Sequence, residues 1–350
     1  TTEIGLRARA GDVYNNGTLS SPKIGIVSDT GNVWLPANIT TSGSLIAQGR
    51  AVGVEGSITA TNAITLVSTA YNVTAHGVMA TRTLVIEAAQ DLRTTAGRLR
   101  GSVVTQVIAD DIERTDIAET NRKLGAITGA AGDVHVQLRT GSLGTYTPDD
   151  TSGYEVANFD TTGSVALISK NGSAYLRGTI KADKDILISA KGTTGLRSAT
   201  LDAGGLLHLY GGGYVKNYGS LNYTAGNTVQ IEQGQGWFHT DDWLKRTVDH
   251  NLVVFAKRIV VNSDHRFVNR DVVFRASENI AQRDRVISAR GLTYSAGGDI
   301  LVEFDPNDWR EANPNAVDNG DWLDIATAGL RGRTLQAQTR GMTIYADGDI

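Results

Sequence analysis

One spacing recurs along this chain and narrows it to very few folds. In "GTIKADKDILISA" the apolar and small residues fall at Ile180, Ala182, Ile186 and Ile188, two, four and two residues apart. The same places are filled by Ile58, Ala60, Ile64 and Leu66, by Val78, Ala80, Leu84 and Ile86, and by Leu201, Ala203, Leu207 and Leu209. They are filled again by Tyr223, Ala225, Val229 and Ile231, and by Tyr294, Ala296, Ile300 and Val302. Neighbouring copies begin 20, 21 or 22 residues apart, and looser ones start at Ile127 and Leu335. A fixed period of this size marks a repeat architecture, in which each unit buries its apolar face against its neighbours.

Alternation by two means strands with one buried face, and the Gly, Asn and Asp between them supply turns. A leucine-rich repeat has a similar length but needs a helical half and several fixed leucines, which are absent. A helical repeat needs 3.6-residue spacing over ten or more residues, and the windows here do not offer it. The pattern therefore predicts an all-β fold, a right-handed parallel β-helix or β-solenoid with coils of about 20 residues and protruding loops. At that coil length the chain is expected to hold about 17 coils. All the repeat positions named above are expected to face inward, with the alanine at a tight inner corner. Composition agrees: 40 glycines against 5 prolines and only 6% aromatic residues leave Ile, Val, Leu and Ala to build a narrow core.

Residues 1–236 read as β-helix with these repeats, and "GDVYNNGTL" from Gly11 is echoed by "GYVKNYGSL" from Gly213. Residues 237–320 depart from the plain pattern. Strand-like runs persist there at "NLVVFAKRIVV", "RDVVFRA" and "DRVISA", so the coil is expected to continue with long Trp-rich loops thrown outward. Trp237, Phe238, Trp243, Trp309 and Trp322 cluster around this segment of an aromatic-poor chain, a candidate partner-binding surface because such rings supply contact area. The rival reading has them pack the loops back onto the coil. Residues 321–350 resume the repeat and break off at "YADGDI", from which the chain is expected to be an excerpt of something longer. The stretch "ADDIERTDIAETNRKLG" from Ala109 is polar with room for a short helix, and "GTYTPDDTSGYEVANFD" reads as a protruding loop.

The chemistry-bearing residues form no linear constellation. The chain has no cysteine, which rules out disulfides, thiol catalysis and thiolate zinc sites. Its six histidines, at 76, 135, 208, 239, 250 and 265, lack the paired spacing that binds zinc, and His208 between Leu207 and Leu209 is expected to point outward. The pairs Asp110 with Asp111, Asp149 with Asp150 and Asp241 with Asp242 invite comparison with β-helical polysaccharide lyases and hydrolases, but adjacent strand residues point to opposite faces and turns favour aspartate. No nucleophile elbow or phosphate-binding loop is present. No enzymatic activity, cofactor or metal is expected. A net charge of −4 gives no broad attraction to nucleic acid, and no run approaches the roughly 20 apolar residues that span a bilayer.

The run "GTIKADKDILISAKG", the copies "LDAGGLLHL" and "YTAGNTVQI" and the V-x-N-x-G-x-L links resemble the haemagglutinin repeats of filamentous haemagglutinin-type exoproteins. These are large bacterial surface proteins exported by two-partner secretion, and they include adhesins and the toxin-delivery sticks of contact-dependent growth inhibition. The resemblance covers most of the chain through its period. It implies a secreted, cell-surface shaft that presents adhesive or effector regions. It also implies an outer-membrane transporter as partner during export, and a receptor or glycan on a host or neighbouring bacterial cell. A receptor-binding part of a contact-dependent inhibition protein is the alternative it leaves open. The amino-terminal secretion motif and a carboxy-terminal toxin signature are not seen in these residues.

Overall fold

The structure is a computed structural model. It describes residues 3–95, 97–116, 122–127, 130–240, 243, 247–248, 250–261, 265–267, 270–282, 287–298, 300–302 and 335–347. The protein is all-β, with parallel strands stacked as a β-solenoid of about 13 turns and coils of ~21 residues. Its contacts divide into two units, Thr1–Leu207 with Tyr218–Tyr223, and His208–Asn217 with Thr224–Ile350. No helix among the described residues is long and apolar enough to cross a membrane.

One coil of the first unit shows how the sequence makes the shape. Strand Ile39–Thr41 buries its first and third residues, strand Ser44–Gly49 buries Leu45, Ala47 and Gly49, and strand Val52–Val54 buries all three. Short turns join these strands into a three-sided coil. The next coil repeats it in register: Ile39 pairs with Ile58, Thr41 with Ala60, Leu45 with Ile64, Ala47 with Leu66 and Val52 with Val73. Each fully buried Ile or Leu contributes about 1.5–3 kcal/mol, and the columns repeat that gain coil after coil.

The corners are held by side chains that the apolar spacing does not reveal. Asp12 Oδ1 accepts the backbone N–H of Asn32 at 2.7 Å, and Asn32 Oδ1 in turn accepts that of Ala51 at 3.1 Å. Asn72 and Asp91 continue the device, accepting the backbone N–H groups of Asp91 and Asp111 at 3.0 and 3.1 Å. Each carboxylate or amide thereby satisfies a turn amide of the coil above it. Inside the coil, buried hydroxyls do similar work. Ser28 Oγ donates to Gly11 O at 2.6 Å and accepts from Gly31 N–H at 2.9 Å.

Corners also absorb extra length. The step from Val165 to Ile186 is 21 residues, but Thr105 pairs with Val134 and Val134 with Val165, steps of 29 and 31. These longer coils are one reason why the turns number about 13 instead of about 17. The polar stretch after Ala109 supplies one of the insertions, and its described residues include a 3-10 turn, Lys123–Ala126.

Most repeat positions are buried as expected, but not all. Met79, not Val78, pairs with Ile58, so Met79 and Thr81 point inward while Val78 and Ala80 are half-buried. The step from Thr81 to Leu84 is three residues where that from Ala60 to Ile64 is four, so the pairing offset between the two coils falls from 21 at Met79 with Ile58 to 20 at Thr83 with Ala63. Ala225 is likewise half-buried. The side chain of Val302 lies outside the described residues.

In the second unit, strands Thr228–His239, Asn251–Val261, Asp271–Ala276, Ile287–Ala296 and Leu335–Ala346 pair in sequence. The runs "NLVVFAKRIVV" and "RDVVFRA" thus continue the parallel ladder. Tyr294 and Ala296 are buried, but they lie out of phase with the earlier copies. The inward column is Ile231, Val254, Phe274 and Tyr294, so Tyr294 continues the second apolar pair of the preceding copy instead of Tyr223. Phe274 and Tyr294 meet with ring centroids 5.4 Å apart.

Candidate partner-binding surface

The Trp-rich segment divides into inside and outside. Phe238 and Trp243 are buried, at 1% and 4% exposure, and stack on one another with centroids 6.4 Å apart. Both rings are packing residues, which corrects their assignment to a partner surface. Trp237, the neighbour of Phe238 on an alternating strand, faces the other way and is half-buried, with the Arg258 guanidinium 5.6 Å from its ring centre. Trp309 and Trp322 lie outside the described residues.

Of the acidic pairs, Asp110 and Asp111 are engaged in ion pairs and Asp150 in a turn. Arg139 Nε donates to Asp110 Oδ1 at 2.8 Å, and Lys123 Nζ reaches Asp111 Oδ1 at 2.6 Å. Partial burial, with Asp111 nearby, raises the carboxyl of Asp91 above its ordinary range. Asp150 accepts from the backbone and hydroxyl of Ser152, both at 2.8 Å, which holds its carboxyl below the usual range. Asp149 has no such role in the structure, and Asp241 and Asp242 lie outside the described residues. His208 points outward as expected, its Nε2 3.1 Å from Glu232 Oε1, and among the described residues no His, Asp or Glu group is arranged to hold a metal.

Among the described carboxylates, Glu155 is shifted furthest from its ordinary range. It is fully buried where the Lys123–Ala126 turn docks, and its Oε1 accepts the Leu124 N–H at 2.8 Å while Oε2 has no hydrogen-bond partner. Burial pushes its carboxyl up to about 7, against the opposing pull of the Leu124 and Lys123 amides and of the Lys123 and Arg114 charges.

The protruding loop folds back instead of standing free, and it carries the aromatic cluster that composition failed to signal. Tyr146, Tyr154, Tyr175 and Tyr218 meet with ring centroids 4.7 to 6.3 Å apart. Tyr175 lies in direct register with Gly195, and a Cβ there would stand 2.5 Å from the Tyr175 ring. Glycine is what lets the rings lie flat on the strand. Arg197 clamps the loop by donating to Pro148 O at 2.6 Å. Tyr154 is buried and Tyr146 is 44% exposed, so the cluster has one face in the fold and one in solvent.

No family model, curated protein or solved structure matches the chain. The functional reading therefore stands on the geometry and on the repeat pattern. Three of the four tyrosines, at 146, 154 and 175, fall in one stretch of sequence. The fourth, at 218, joins them only through coil stacking, so the cluster forms no run in the sequence.

Proposed function

We propose that this chain is a shaft segment of a large secreted bacterial surface exoprotein, extending and presenting adhesive or effector regions to host or neighbouring cells. The observation that carries the reading is the persistence of register across insertions: Val165 pairs correctly with Ile186 although the coil before it is ten residues longer, 31 against 21. A scaffold built in this way carries outward segments such as the Tyr146 loop without disturbing its core. The repeat resemblance supports export through a two-partner outer-membrane transporter. A receptor-contacting role for residues 237–320, as in contact-dependent inhibition, is favoured by one observation only, the half-exposed Trp237 beneath Arg258.

Antibodies against this chain, applied to intact cells of the producing bacterium, test the proposal. Labelling before lysis that disappears when the transporter is deleted is the expected result. Signal confined to lysed cells overturns it.

A further inference from the structure

On an outward face of the second unit, Glu232, Phe255 and Arg275 lie side by side on successive strands. With Tyr210 and Lys257 they line a groove of about 380 Å³, within the usual size of a small-ligand site. Among the described residues, the charges around it are matched except one. Lys257 Nζ and Arg258 Nε both pair with Glu278, at 3.1 and 2.5 Å. Glu232 Oε1 accepts from Gln230 at 2.5 Å and lies 3.1 Å from the His208 ring. Arg275 is exposed, stands 5.8 Å over the Phe255 ring and has no ion pair among the described residues.

An arginine stacked on an aromatic face keeps its planar fork of N–H donors free at the edge, and that fork fits a carboxylate in two-pronged fashion. Phe255 and Tyr210 offer flat apolar faces of the kind that pack against the C–H side of a sugar ring. The Glu232 carboxylate is an acceptor for ring hydroxyls. Strand Asn251–Val261 beneath the groove is already paired on both sides, so a peptide strand has no edge to join. We propose that this groove binds a uronic acid residue of an acidic polysaccharide, its carboxylate on Arg275 and its ring against Phe255. The site is a property of the groove and does not depend on the chain being a shaft.

The test is titration of the purified chain with methyl β-D-glucuronide, methyl β-D-glucoside and glucose 6-sulfate, followed by calorimetry and saturation-transfer NMR. The glucuronide is expected to bind about tenfold or more tightly than the glucoside. Arg275→Ala should reduce it to the level of the glucoside, and Arg275→Lys should recover only part, since an ammonium supplies a point charge without the fork. Phe255→Leu keeps burial while removing the flat face and should weaken both glycosides, whereas Arg93→Ala, in the first unit, should change neither. Equal binding of the two glycosides, no binding, tighter binding of the sulfate, or full binding by Arg275→Ala overturns the proposal. Arg275 is exposed, so its variants are expected to fold, and an unchanged melting curve confirms that the readout is of binding.

Discussion

Thr161 stands in register with Ala182 one coil further on, and the threonine hydroxyl does what the alanine leaves undone. Thr161 Oγ1 donates to Gly132 O and accepts the Gly163 N–H at 3.1 Å, closing the inner corner. Thr41 does the same beside Ala60, bonding Ser21 O and the Gly43 N–H. The recurring alanine is thus one of two solutions to a narrow corner.

The sign of a threonine-to-valine change should therefore depend on the coil. Thr161→Val removes bonded hydroxyl contacts and is expected to lose about 1–2 kcal/mol, read as a lower urea midpoint. Thr81 is buried with no hydrogen-bond partner for its hydroxyl, so Thr81→Val should add about 1 kcal/mol of stability, read as a higher midpoint.

The register at residues 78–81 can be checked by paired substitutions. Met79→Ala opens a hole in the core and should lose about 2–4 kcal/mol, while Val78→Ala at a half-buried position should lose less than about 1 kcal/mol. Reversed magnitudes would return Val78 to the inside.

Glu155 makes stability depend on pH. Its folded carboxyl titrates at about 7, above the ordinary value of 4.5, so the folded state binds the extra proton between these values. Its stabilising contribution is complete below about pH 4.5 and is lost as pH rises through about 7. In Glu155→Gln the drop in stability between pH 5 and pH 8 should be smaller by up to about 3 kcal/mol, measured by urea unfolding at both pH values. An unchanged drop would show that Glu155 is not the group responsible.

Arg197 ties the loop at 144–154 to the strand beneath it through Pro148 O. Arg197→Ala is expected to speed limited proteolysis between residues 147 and 152 several-fold with little change in global unfolding, because opening here is local. Cleavage at the wild-type rate would mean the tyrosines alone hold the loop.

The columns through Ile58, Ile64, Ile186 and Leu207 were legible because period-two burial repeats at each coil and leaves one choice of face. The shift that turns Met79 inward was not, since Val78 and Met79 are both apolar and one residue apart. The phase of Tyr294 was hidden for a related reason: any two successive strands of a coil give the same two-x-two spacing, whichever side they occupy. Trp243 drew notice because aromatics cluster in its segment, yet clustering in sequence does not separate a contact surface from a ring packed against Phe238. Arg275 and Phe255 escaped notice because their adjacency exists only across strands 20 residues apart in sequence.

Between Leu143 and Glu155 the chain departs from its coil, wanders through the Tyr146 segment and rejoins at the correct rung. Lengthening such an excursion changes its closure entropy only logarithmically, and the rungs on either side are indifferent to what it spells. Mutation and recombination there can rewrite the outer text of the molecule while its spine stays legible to the folding chain, so surface novelty and structural inheritance evolve on separate ledgers.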